Sequence, residues 1–98
     1  MTVLIDKPVW AAHGTLWSHL VSDSSLVELH AFAQAFGIPE RSFDRDHYDV
    51  PARRHDDLVR GGALEVDFRE LIERLRDSGL RVTARQRRAV PLPRRVRR

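Results

Sequence analysis

Apolar residues recur along this chain with two different periods, separated by polar stretches that have neither. Thr2-Val3-Leu4-Ile5 is a β-branched and aliphatic run closed by Asp6, which predicts a short buried strand. Ser25-Leu26-Val27-Glu28 has the form of a capping box, with Ser25 as N-cap and Glu28 reaching back to it. Leu26, Leu29, Ala33 and Phe36 follow at helical spacing, with Phe32 beside them and Gly37 behind, so the spacing predicts a helix over 26–36. Arg41-Ser42-Phe43 suits a second short strand. Val50 to Arg60 predicts a second helix, with Asp49 as cap, Pro51 in the first turn and Gly61-Gly62 at its end. Ala63-Leu64-Glu65-Val66 predicts a third strand. Asp67-Phe68-Arg69-Glu70 repeats the capping signal, and Phe68, Leu71, Ile72 and Leu75 form an apolar stripe that Gly79 stops. Residues 7–22 show no clear period and suggest a long loop with one turn of helix; 44–49 form a polar segment without periodicity.

The order strand, helix, strand, helix, strand, helix predicts an α/β fold. The expectation is a small single domain with a short three-stranded parallel or mixed sheet and about three flanking helices. The 98 residues leave room for little else, and the sequence does not repeat.

Charge divides the chain in two. Residues 1–80 carry nine basic and 14 acidic side chains, whereas residues 81–98 carry eight arginines, no acid and two prolines. The expected organisation is therefore a domain over 1–80 and a disordered arginine-rich tail over 81–98. Such a tail attracts phosphate backbones in a salt-dependent way, with Arg94, Arg95, Arg97 and Arg98 as the nucleic-acid or polyanion contacts, or it only adds solubility. No aromatic residue is interleaved there, so base stacking is not expected of it.

Cysteine is absent, which removes disulfides, thiolate nucleophiles and cysteine-ligated metals. The longest apolar run, Val9 to Ala12, is far short of the roughly 20 residues of a membrane span. The amino terminus lacks the basic start and apolar stretch of a secretory signal, so a cytoplasmic location is expected. Short sheets leave open edges, so an oligomer stays open as well.

In open α/β sheets ligands bind at the carboxyl ends of the strands. Asp6, the Trp10–Asp23 segment and Asp44, Asp46, His47 and Asp49 would gather at that edge. Asp6, His19, Asp23, His47 and Asp49 are the candidate ligands of a divalent metal, since imidazole and carboxylate together suit zinc, manganese or iron. An extended segment puts His47 and Asp49 on one side. Without a metal, His19, His47 and Asp6 are the candidates for acid–base catalysis; a hydrogen-bonded cluster that pins the loops is the structural alternative. Trp10, His13, Trp17 and Tyr48 are the candidate ligand-binding side chains, although two tryptophans in so small a chain can equally anchor a loop. Neither a zinc-protease helix motif nor a glycine-rich phosphate loop is present, which disfavours those sites.

Several of these pieces occur together. Val3-Leu4-Ile5-Asp6, Trp10, Gly14-Thr15-Leu16-Trp17-Ser18-His19-Leu20-Val21-Ser22-Asp23, Leu29-His30-Ala31-Phe32-Ala33, Gly37-Ile38-Pro39 and His47-Tyr48-Asp49-Val50-Pro51 resemble the bacterial and phage family called DUF4031. The resemblance covers roughly residues 1–80 and implies a free-standing domain of this size. It implies no activity and defines no functional residue. Two classes of function follow from the residues themselves. One is a small metal-assisted enzyme or ligand-binding domain for a phosphorylated or nucleic-acid substrate. The other is a non-catalytic binding or regulatory module with an electrostatic tail.

Overall fold

The computed structural model describes residues 1–82, so residues 83–98 of the tail, with the Arg94, Arg95, Arg97 and Arg98 contacts expected there, lie outside the described residues. The elements are β1 (Val3–Ile5), β2 (Trp10–Ala12), β3 (Thr15–Ser22), α1 (Leu26–Ala35), a 3-10 turn (Glu40–Ser42), β4 (Phe43–Asp44), β5 (His47–Pro51), α2 (Ala52–Arg60), β6 (Leu64–Glu65) and α3 (Phe68–Ser78). The domain is α/β with three helices, as its patterning predicts. Its mixed sheet has six strands among the described residues rather than three.

The additional strands come from the two segments read as loops. Residues 10–22 form a hairpin whose register, Ala12 opposite Thr15, leaves His13-Gly14 as a two-residue turn. Both turn residues have positive φ (49° and 78°), the backbone hand that matches strand twist in a tight hairpin. Gly14 takes this conformation without steric cost. His13 is an unusual occupant, which is why the turn carries no familiar sequence signal. Likewise, Phe43-Asp44 and His47–Pro51 form a second hairpin around Arg45-Asp46. Asp49 therefore sits inside a strand and does not cap α2, whose N-cap is Pro51.

The sheet order is β4-β5-β3-β1-β6, with β2 continuing along the β1 edge of β3. Among the described residues only the β1–β6 pair is parallel. Alternation along the strands then distributes side chains to two faces. Val3, Ile5, Leu20, Tyr48 and Val50 pack with Leu29, Ala33 and Leu58 under α1 and α2. Leu4 and Val21 pack with Leu71 and Leu75 under α3. Among the described residues the second face thus has a single helix to cover it, and polar strand residues beside that helix remain reachable.

The caps behave largely as their sequences predict. Ser25 accepts from the Glu28 N–H at 3.0 Å, and Asp67 from the Glu70 N–H at 2.8 Å. The Glu28 carboxylate, however, takes the Ser22 and Ser24 hydroxyls instead of closing the capping box. His55 on α2 is buried, with Nε2 only 3.2 Å from Glu65 but poorly aligned for a hydrogen bond. Among the described residues no helix is long and apolar enough to cross a membrane.

Candidate metal centre beneath helix α3

The centre begins with a break in a strand. After β1 the chain makes an excursion through Lys7-Pro8-Val9 before pairing with β3 again as β2. The Asp6 N–H still donates to the His19 carbonyl, but the His19 N–H has lost a ladder partner. The buried Asp6 carboxylate fills that place: Oδ1 accepts the His19 N–H at 2.6 Å, and Oδ2 lies 2.8 Å from Nδ1 of the His19 ring. Trp10 Nε1 donates to the same Oδ2 at 3.3 Å.

On the neighbouring strand β5, His47 has an equivalent support. Its Nδ1 is 2.7 Å from Oδ1 of Asp46, a carboxylate with no solvent exposure. Oδ2 of Asp46 accepts the Val82 N–H at 2.8 Å and faces Arg81 at 3.4 Å. His47 Nε2 lies 3.2 Å from Asp49 Oδ1. The His19 and His47 rings meet edge to face with centroids 5.2 Å apart. His19 stands opposite Asp49 in the β3–β5 register, so one imidazole, the second imidazole and the carboxylate come together on the face that α3 leaves open.

The electrostatics follow from this packing. Burial opposes the charging of His47, but hydrogen bonds to Asp46 and Asp49, reinforced by their negative charges, outweigh it and raise the imidazole to about 9. Burial also pushes the Asp46 carboxyl up, yet the bonds from His47 and the Val82 N–H prevail and hold it below its ordinary value. The hydrogen bond from His47 holds Asp49 low in the same way, against burial.

Polar atoms of His19, His47 and Asp49 all lie within 4.8 Å of one another. Two ligands at about 2.1 Å from one ion stand at most about 4.2 Å apart, so movements below about 1 Å would bring all three to a single cation. The arrangement also has the support that metal-bound histidines usually have, because each Nδ1 faces a buried carboxylate. The cluster opens on a cavity of about 210 Å³ lined by Trp10, His19, His47, Phe68, Ile72 and Arg81, with apolar side chains of β3 and α3 completing it.

The fold thus brings Asp6, Trp10, His19, His47 and Asp49 together and leaves other predicted site residues elsewhere. Asp23 accepts from the Thr2 N–H at 2.8 Å and from Arg74 at 2.7 Å, outside the cluster, with its carboxyl held low despite its burial. His13 occupies the hairpin turn and does not line this cavity. Trp17 donates to the Ala12 carbonyl and borders a different cleft beside Ile38 and Pro51. Tyr48 lies between His47 and Asp49 in sequence and therefore points to the opposite face, where its hydroxyl is 2.6 Å from His30 Nδ1. Burial, and secondarily the Glu40 charge, raises the Tyr48 phenol. The centre lies on a sheet face beneath a helix, not at the carboxyl edge of parallel strands, because the sheet is mostly antiparallel.

Sequence reasoning did not assign three contributors. Asp46 stood among the polar residues of its segment without a partner. Phe68 reads as one position of a helical stripe, and Arg81 as the first arginine of the tail. Only the position of Asp46 next to His47 was a signal in the sequence.

The family model described as "Protein of unknown function (DUF4031)" matches residues 3–78. The chain belongs to this family. The match runs from the first residue of β1 to the last of α3 and so takes in all the DUF4031 secondary structure described above. No curated protein and no solved structure matches the chain.

Proposed function

We propose that this DUF4031 domain is a small metal-dependent hydrolytic enzyme acting on a phosphorylated substrate. His19, His47 and Asp49 would hold a divalent cation, with Asp6 and Asp46 orienting the two imidazoles. One observation carries the reading: two histidines on adjacent strands each have Nδ1 against a buried carboxylate while their rings converge with Asp49 beside a cavity. Two imidazoles and one carboxylate suit zinc, manganese or iron(II) and leave coordination positions for water and substrate.

A cation held there would polarise a phosphoryl oxygen and lower the pKa of a bound water. The water would give up a proton to solvent as its oxygen bonds to phosphorus and the ester P–O bond breaks, and the departing oxygen would take a proton from solvent. An ion would also reverse the local charge of an acidic domain, which is otherwise a poor host for phosphate.

Calorimetric titration of the full chain with zinc and manganese tests the metal step. One ion per chain should bind, and His19→Gln, His47→Gln and Asp49→Asn should each weaken it at least about tenfold. Circular dichroism of the variants separates lost ligands from lost fold. Binding no tighter than millimolar in the unsubstituted chain would end the metal reading.

The eight arginines after residue 80 support a second, electrostatic role. Arg94, Arg95, Arg97 and Arg98 would hold a polyanion such as nucleic acid without reading its sequence. A chain ending at Val82 keeps the Asp46 contacts; it should lose retention on nucleic acid at low salt, and unchanged retention would reject that role.

A further inference from the structure

The cavity beside His19 and His47 has two unlike walls. On one side stands Arg81, whose guanidinium makes the longest of the contacts to the Asp46 carboxylate, 3.4 Å against 2.7 Å for His47 and 2.8 Å for the Val82 N–H. At that distance it is beyond a good hydrogen bond, so among the described residues most of its five donors are left for another anion. On the other side, Trp10 and Phe68 meet with ring centroids 4.9 Å apart, and Phe68 also lies against His19 at 5.4 Å. Both aromatic residues remain about two-fifths exposed (42% and 41%), although each touches the site. Large exposed aromatics beside a polar cluster form a surface on which a flat apolar group gains by burial.

We propose that the substrate is a phosphate ester carrying one small flat ring, with its phosphate between the histidine pair and Arg81 and its ring against Trp10 and Phe68. This rests on the phosphohydrolase reading and narrows it. The cavity volume of about 210 Å³ sets the size. It falls below the roughly 300–1,000 Å³ of pockets that enclose drug-sized ligands. A single ring with its phosphate fits that limit, and the remainder of a larger molecule would stay outside. A planar guanidinium matches phosphate through paired donors, whereas the aromatic wall, with Trp10 Nε1 already given to Asp6, has no hydrogen bond for the hydroxyls of a non-planar group.

Trp10 reports occupancy of this cavity directly. The full chain, with zinc and without, is titrated with phenyl phosphate, inorganic phosphate, glycerol phosphate and benzoate, followed by tryptophan fluorescence and by calorimetry. Phenyl phosphate should bind about tenfold or more tighter than either ring-free phosphate, the scale expected of burying one ring. Arg81→Gln should weaken all three phosphates about tenfold, the usual scale for a charge-assisted contact. Phe68→Leu, at a half-exposed helix start, should remove most of the advantage of the ring, read as a phenyl-to-inorganic phosphate affinity ratio that falls towards one. Equal affinities for phenyl and inorganic phosphate, benzoate binding as tightly as phenyl phosphate, or indifference to Arg81→Gln would each overturn the proposal. Failure of the metal reading shows separately, as absent zinc uptake, and the metal-free titration still ranks the ligands.

Discussion

Asp6 holds His19 by two atoms at once, its Oδ1 on the backbone N–H and its Oδ2 on the ring Nδ1. An ionised carboxylate only accepts hydrogen bonds, so the contact fixes the proton on Nδ1 and leaves Nε2 as the free nitrogen. One side chain thereby mends a gap in the strand ladder and sets the tautomer of a candidate ligand.

Those two roles can be separated by substitution. Asp6→Asn retains an acceptor for the backbone N–H but loses the charge facing the ring, so metal affinity should fall by about 10–100-fold with a small change in melting temperature. Asp6→Ala leaves a buried N–H unpaired and should also cost about 1–3 kcal/mol of stability. Calorimetry and urea denaturation on the two variants check this; equal stability of the two would count against the ladder role.

The metal-free protein should lose stability as it becomes alkaline. His47 is raised from 6.5 to about 9, so its charged form is favoured by folding. That contribution is complete below about pH 6.5 and disappears as pH rises through about 9. The lowered Asp46 and Asp49 carboxyls belong to the same group of contacts; their contribution holds above about pH 3.8 and is lost as acid protonates them. Urea midpoints at several pH values should decline between neutral and alkaline pH, and His47→Gln should flatten that decline.

Gly14 has a φ of 78°, and a Cβ there would meet open space. Gly14→Ala should therefore destabilise through backbone conformation alone, by about 1–2 kcal/mol, with no steric clash to relieve. Chemical denaturation measures this directly, and a neutral result would mean the hairpin turn relaxes freely.

Leu71 ties α3 to the second face and is 1% exposed. Leu71→Ala should cost about 2–5 kcal/mol. Because α3 also carries Phe68 against His19, the same variant should weaken zinc binding even where the chain remains folded. Thermal melts with and without zinc give both readings, and an unchanged zinc-dependent shift would show that the helix does not support the centre.

The three helices were legible because each has a local signature: Ser25 and Asp67 as side-chain caps, an apolar stripe in α3, and glycine after each end. The two hairpins were not. His13-Gly14 and Arg45-Asp46 are uncommon turn pairs, and Trp10–Ala12 is exposed throughout, so neither the turn nor the strand shows the usual alternation. The candidate centre was partly legible. Asp6, His19, His47 and Asp49 could be suspected from residue type, and the alternation of His47, Tyr48 and Asp49 placed the first and third together. Asp23 looked equivalent, because the partners that draw it elsewhere, the Thr2 N–H and Arg74, lie 21 and 51 positions away.

The sequence by itself determined the helices, the first and last strands of the α/β domain, its family and the separation of an acidic body from a basic tail, since these depend on neighbours within a few residues or on composition. The tertiary structure decided what meets across the sheet. Pairing of β3 with both β1 and β5 sets His19 between the buried Asp6 and Asp49, and the helix on that face leaves His19 and Asp49 reachable. Such contacts depend on strand register, which short-range patterning does not encode when the turns lack a recognisable pair of residues.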